Sequence, residues 1–151
     1  KIIRDVKKRG YSADKVIEQI ESRYEDGNKF IHPQKEFADL IVEYYAITDF
    51  ELGDEDAHLR LGLKIIIDAN IQLDEIISSL KIDFTWDYND DLKTQYIDLR
   101  EEPVVNFQLL GEKHISNIHE ITSLNAEWSK GYAGFLQLIT LIMISNKLKE
   151  V

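Results

Sequence analysis

At 151 residues, 44% hydrophobic and 30% charged, the chain has the length and composition of a folded protein with a real core, which excludes a disordered polymer. It has no cysteine, so disulfides, thiolate nucleophiles and cysteine-ligated metals are excluded. A net charge of −10 argues against nucleic acid as the main partner.

The first stretch, residues 1–9, carries five cations and one acid, +4 in a chain whose total is negative. At roughly 100° per residue, Lys1, Arg4, Asp5, Lys8 and Arg9 share one helix face about 140° wide, opposite Ile2, Ile3 and Val6. Gly10 supplies a left-handed stop. Ser12 caps a second helix, in which Val16, Ile17, Ile20 and Tyr24 keep a three-and-four spacing. Glu25-Asp26-Gly27-Asn28 is expected to end it. Pro33 suits a turn or the start of a short helix, and residues 39–45 form a strand whose start Asp39 anchors.

Residues 48–57 are acidic and read as a surface connection. Leu59, Leu61, Leu63, Ile65 and Ile67 alternate as a half-buried strand. A short helix over 73–80 follows, then strands over 82–88 and 94–99 joined by an Asn89-Asp90-Asp91 turn. Pro103 opens a helix in which Val104, Phe107, Ile118 and Ile121 share one side, weakened by Gly111. Residues 131–148 are apolar nearly all round, which marks a helix buried in a core or in a homodimer interface. The longest apolar run, near 134–144, is too short for a bilayer, and nothing at the start reads as a signal peptide. A cytoplasmic protein with no membrane partner is expected.

The run Lys1-Ile2-x-Arg4-Asp5-x-x-x-Arg9-Gly10, Ser12 opening a helix, and Phe30-Ile31-His32-Pro33-Gln34-Lys35 before Ala38-Asp39-Leu40-Ile41-Val42 resemble the lid and post-lid region of the phosphoribulokinase and uridine kinase family, phosphoribulokinases most closely. Trp86-Asp87-Tyr88, residues 94–98 and Gly131-Tyr132-x-Gly134-Phe135-x-Gln137-Leu138 resemble, more loosely, the C-terminal extension of phosphoribulokinases. The resemblance implies an α/β fold: lid and edge of a P-loop kinase over 1–47, then a small mixed α/β annex over 48–151 with antiparallel strands and a buried C-terminal helix. It implies transfer of the γ-phosphoryl of ATP, with Mg²⁺, to ribulose 5-phosphate. A uridine kinase-like nucleoside kinase and a non-catalytic dimerisation or regulatory module stand as alternatives.

By the same resemblance, Lys1 offsets charge in the transition state, and Arg4 and Arg9 contact phosphate. Asp5 either orients these cations or forms an ordinary helix ion pair. Lys7 and Lys8 add general electrostatics, and His32 and Lys35 sit near the nucleotide. The chain has no G-x-x-x-x-G-K-[ST] loop to cradle ATP phosphates, and its only methionine is Met143. It is therefore expected to be the C-terminal part of a longer kinase and inert alone, with ATP and Mg²⁺ held mainly by the missing part.

Other motifs take bland readings. His114 and His119 are five apart and form no zinc pair. Asp87-x-Asn89-x-Asp91 opens like a calcium loop but has Leu92 where glycine is required. Trp86, Tyr88 and Tyr96 pack across strands rather than form a ligand platform.

Overall fold

The computed structural model describes residues 2–48, 60–123 and 126–149, and for residues 2–4 the backbone alone. They fall into two compact units, one of residues 2–41 and one of 42–48 with 60–149. Leu59, His58 and the connection over 49–57 lie outside the described residues.

In the first unit, helix α1 (Ile2–Arg9) ends as its glycine dictates. Gly10 adopts φ +70°, its N–H donates to the Val6 carbonyl at 3.1 Å, and the Tyr11 N–H donates to the Asp5 carbonyl at 3.3 Å. Helix α2 (Ala13–Asp26) begins at Ser12, whose Oγ accepts the Lys15 N–H at 3.3 Å.

Gly27 does not end α2. It stays in the right-handed helical region, and the chain continues through a π turn (Gly27–Ile31) into a 3₁₀ helix (His32–Phe37). The rewinding has a cause in Pro33, which lacks an N–H and whose ring would strike the carbonyl four residues back in a continuous α-helix. Of the apolar stripe on α2, only Val16 is buried; Ile17, Ile20 and Tyr24 are exposed. Two helices and a short rewound segment are too small to enclose it.

The second unit is built on a four-stranded sheet in the order β1-β2-β4-β3, comprising β1 (Leu40–Ala46), β2 (Leu61–Asp68), β3 (Phe84–Tyr88) and β4 (Thr94–Leu99). Strand β4 pairs antiparallel with both β2 and β3, with Ile65 opposite Ile97 and Trp86 opposite Ile97. Alternation sends Leu63, Ile65, Ile67, Ile97 and Leu99 into the core. They are joined there by buried Ile76 and Ile77 of α3 (Asp74–Ser78), Phe107 of α4 (Phe107–His114), Ile118 of α5 (Ile118–Ile121), and Phe135, Leu138 and Ile139 of α6 (Gly131–Lys149). The α/β class is observed.

Helix α6 approaches α4 closely because residue 134 is glycine. A Cβ there would lie 2.2 Å from the Ser129 carbonyl oxygen and 2.4 Å from the Phe107 ring. A buried amide locks the sheet on the core side: Gln95 accepts from Trp86 Nε1 at 2.8 Å and donates to the Asp68 and Ile71 carbonyls at 3.0 and 2.7 Å.

The single helix expected from Pro103 to Ile121 is two helices. Asn106 caps α4 by accepting the Leu109 N–H at 3.0 Å, Val104 lies outside it at 92% exposure, and extended backbone at Ile115 separates α4 from α5. Trp86 and Tyr96 point to opposite sheet faces, since Tyr96 stands opposite Asp87 and next to the partner of Trp86. Tyr96 instead lies under the Lys64 ammonium, 4.9 Å from its ring centroid. Leu92 takes the left-handed conformation of the 89–93 turn at φ +54°. Asp91 is committed to the same turn, accepting from the Lys93 and Thr94 N–H groups at 2.9 and 3.2 Å. The Lys93 N–H, foremost, holds its carboxyl below the usual range.

Candidate functional site

The residues singled out in the sequence gather on α1 and in the 3₁₀ helix of the first unit. Lys1 lies outside the described residues, as does the side chain of Arg4. Asp5 is buried, 2% exposed, and is paired with the Arg9 guanidinium one turn on at 3.4 Å. Arg9 itself is open to solvent, with its side chain 58% exposed. An ordinary helix ion pair has both members in water and contributes only a few tenths of a kcal/mol. Here the carboxylate is buried and the guanidinium pairs with it from solvent, so Asp5 positions Arg9.

Lys7 and Lys8 are exposed beside Arg9 in the last turn of the helix. Three cations there also suit the negative end of the helix dipole, so the patch is compatible with a stable helix. Such a surface can take anionic oxygens: the guanidinium offers paired donors and each ammonium a mobile point charge. His32 and Lys35 are exposed in the 3₁₀ helix.

The family model described as "Phosphoribulokinase / Uridine kinase family" matches residues 1–51. The chain is 39% identical over 63 residues to the chloroplastic phosphoribulokinase of Spinacia oleracea, covering 42% of this chain and 16% of that protein. It is 44% identical over 72 residues to the enzyme of Triticum aestivum, covering 48% of this chain and 17% of that protein. Over residues 1–51, a third of its length, the chain is therefore similar to the phosphoribulokinase / uridine kinase family. The matched stretch spans about a sixth of each of these relatives' length. No solved structure matches the chain.

The described residues do not fit a metal site: they contain no group of three His, Asp or Glu side chains able to hold an ion. No described helix is long and apolar enough to cross a membrane.

Two features of the second unit escaped the sequence. Tyr45 of β1 lies over Gly62 of β2, where a Cβ would meet its ring at 2.4 Å, and its hydroxyl donates to Asp98 Oδ1 at 2.5 Å. Burial first, then Asp98, pushes the phenol up to about 12. The only advance signal was a glycine inside an otherwise apolar strand. A polar cavity of about 600 Å³ is lined by Arg60, Arg100, Lys130, Glu101, Glu102 and Tyr44, residues the sequence scatters. Of its cations, Arg60 is paired with Glu101 at 3.9 Å.

Proposed function

We propose that the protein transfers the γ-phosphoryl group of ATP to the 1-hydroxyl of ribulose 5-phosphate, giving ribulose 1,5-bisphosphate and ADP. The observation that carries this reading is the family match over residues 1–51. The relatives named phosphoribulokinase and the exposed cations Lys7, Lys8 and Arg9 support it further.

In this reading residues 1–47 are the lid and edge of the kinase core, and residues 48–151 form an annex. Lys1 offsets charge on the transferring group, and Arg4 and Arg9 hold phosphate oxygens. Asp5 keeps Arg9 in place, Lys8 adds to the field, and His32 and Lys35 lie towards the nucleotide. The work of such a lid is positioning and water exclusion, which suits phosphoryl transfer because that reaction is mostly charge stabilisation. Mg²⁺, when bound elsewhere in the protein, would supply charge neutralisation for the phosphates of ATP. The chain has no glycine-rich phosphate loop, so we assign ATP, Mg²⁺ and the catalytic base to other residues of the protein and expect the 151 residues alone to be inert. The setting we propose is the cytoplasm, with the apolar α6 helix as a contact in a homodimer.

The test is a coupled ADP-release assay on the full-length gene product, offered ribulose 5-phosphate and uridine in parallel. Turnover on ribulose 5-phosphate alone is the expected result. Turnover on uridine keeps the lid and overturns the acceptor. Silence on both overturns the kinase reading in favour of a non-catalytic module whose basic helix senses anions.

A further inference from the structure

We propose that Ser12 is a phosphorylation site for a protein kinase with an acidic substrate groove, and that phosphate there weakens the grip of α1 on anionic substrate; the second half rests on the function proposed above.

Lys7, Lys8 and Arg9 stand five, four and three residues before this serine, and all three are exposed. Of the chain's eight serines, Ser12 alone has a cation at each of these three positions. Ser12 is exposed as well. Its backbone is extended, at φ −69° and ψ 150°, in the short non-helical link behind the left-handed Gly10. Protein kinases bind acceptors as extended chains, and a groove lined by carboxylates selects those preceded by Lys and Arg through charge complementarity. Ser12 already has that extended shape, and the charge lies just before the link, in the last turn of α1, where the end of a short helix can fray into the groove.

The step is an ordinary phosphoryl transfer. Ser12 Oγ bonds to the γ-phosphorus of a nucleoside triphosphate, the bond to the β-phosphate oxygen breaks, the diphosphate leaves, and the hydroxyl proton passes to the protein kinase's base. The product adds a charge of about −1.5 to −2 at neutral pH and three acceptor oxygens. Residues 5–9 carry +2, so the phosphate cancels most of that surplus. Arg9 is three residues away, no more than about 11 Å along the chain. The new oxygens therefore compete with a substrate phosphate for Arg9 and Lys8.

The full-length gene product is incubated with ATP and a basophilic protein kinase, such as the catalytic subunit of the cyclic-AMP-dependent enzyme, and the phosphate is mapped by mass spectrometry. The expected result is one phosphate on Ser12, with incorporation at least about tenfold lower in the Lys7→Ala/Lys8→Ala double variant. Loss of a charge-assisted contact then raises KM for ribulose 5-phosphate about tenfold. A Ser12→Asn variant, which keeps a capping acceptor, shows no change after the same treatment. Phosphate at another residue, labelling indifferent to Lys7 and Lys8, or an unchanged KM in fully labelled protein overturns the proposal. If the unlabelled protein turns over no sugar phosphate, the kinase reading fails by itself. Ser12 is then decided by the labelling map and by calorimetric binding of inorganic pyrophosphate before and after labelling, where equal affinity overturns the proposal.

Discussion

The buried Asp5 changes what its partner arginine can do. A free arginine on a helix surface samples many rotamers, and ordering it on a ligand costs up to about 2 kcal/mol. A guanidinium tethered to a fixed carboxylate has given up part of that freedom already. On the function proposed above, Arg9→Ala in the full-length protein is expected to lower kcat/KM for ribulose 5-phosphate by roughly 10- to 100-fold. Stability should fall by only about 1 kcal/mol, because Arg9 is exposed although it takes a cation from the buried Asp5 carboxylate. If instead stability collapses and turnover per folded molecule holds, Arg9 is structural and the lid assignment is wrong. Asp5→Ala reverses the balance: it removes a buried partner and should cost about 1–3 kcal/mol in chemical denaturation.

Tyr45 makes a separate prediction at alkaline pH. Its folded pKa of about 12 lies above the ordinary phenol value of 10.0, so the fold favours the protonated form. Its contribution is full below about pH 10 and is lost as pH rises towards 12. Denaturation midpoints followed from pH 8 to 11.5 should fall over the upper part of that range, and Tyr45→Phe should flatten the fall.

At the scale of elements, what could be read in advance was whatever rests on local rules. Gly10 as a left-handed stop, Ser12 as a cap and the 94–99 strand follow from backbone freedom, a side-chain acceptor and period-two alternation. What could not be read depends on contacts distant in sequence. Asp5 looks like any helix acid until its burial is known, and Val104 and Ile118 look like one stripe until Asn106 and Ile115 cut it. Tyr45 finds Asp98 across two strands, a pairing no window of sequence contains.

The glycines sort by the same logic. Gly134→Ala has no room beside Phe107 and the Ser129 carbonyl and should destabilise the protein by about 1–3 kcal/mol. Gly27 is right-handed with open space where a Cβ would stand. Gly27→Ala should therefore raise stability by about 0.5–1 kcal/mol. Thermal melts of the two variants against the parent should move in opposite directions.

For the molecule as a whole, the charge distribution matters more than its sum. On the function proposed above, a −10 chain repels an anionic substrate at long range, while α1 attracts it locally. Salt screens both effects, with a Debye length falling from about 10 Å at 0.1 M to 3 Å at 1 M. If the local contacts dominate, KM for a sugar phosphate should rise several-fold between about 0.05 and 0.5 M salt. KM for an uncharged acceptor should hardly move, and a fall in the sugar-phosphate KM would place the substrate against the acidic surface instead.

The π turn at Gly27–Ile31 also bears on how this protein can vary over generations. Its wider ring holds one residue more than an α-helical turn. Deleting a residue there would leave the backbone hydrogen bonding satisfiable, yet swing His32 and Lys35 about 100° round the helix axis. The stretch should accept changes of identity far more readily than changes of length, so an insertion or deletion at this point would mark a lineage that had re-aimed the face these two residues present.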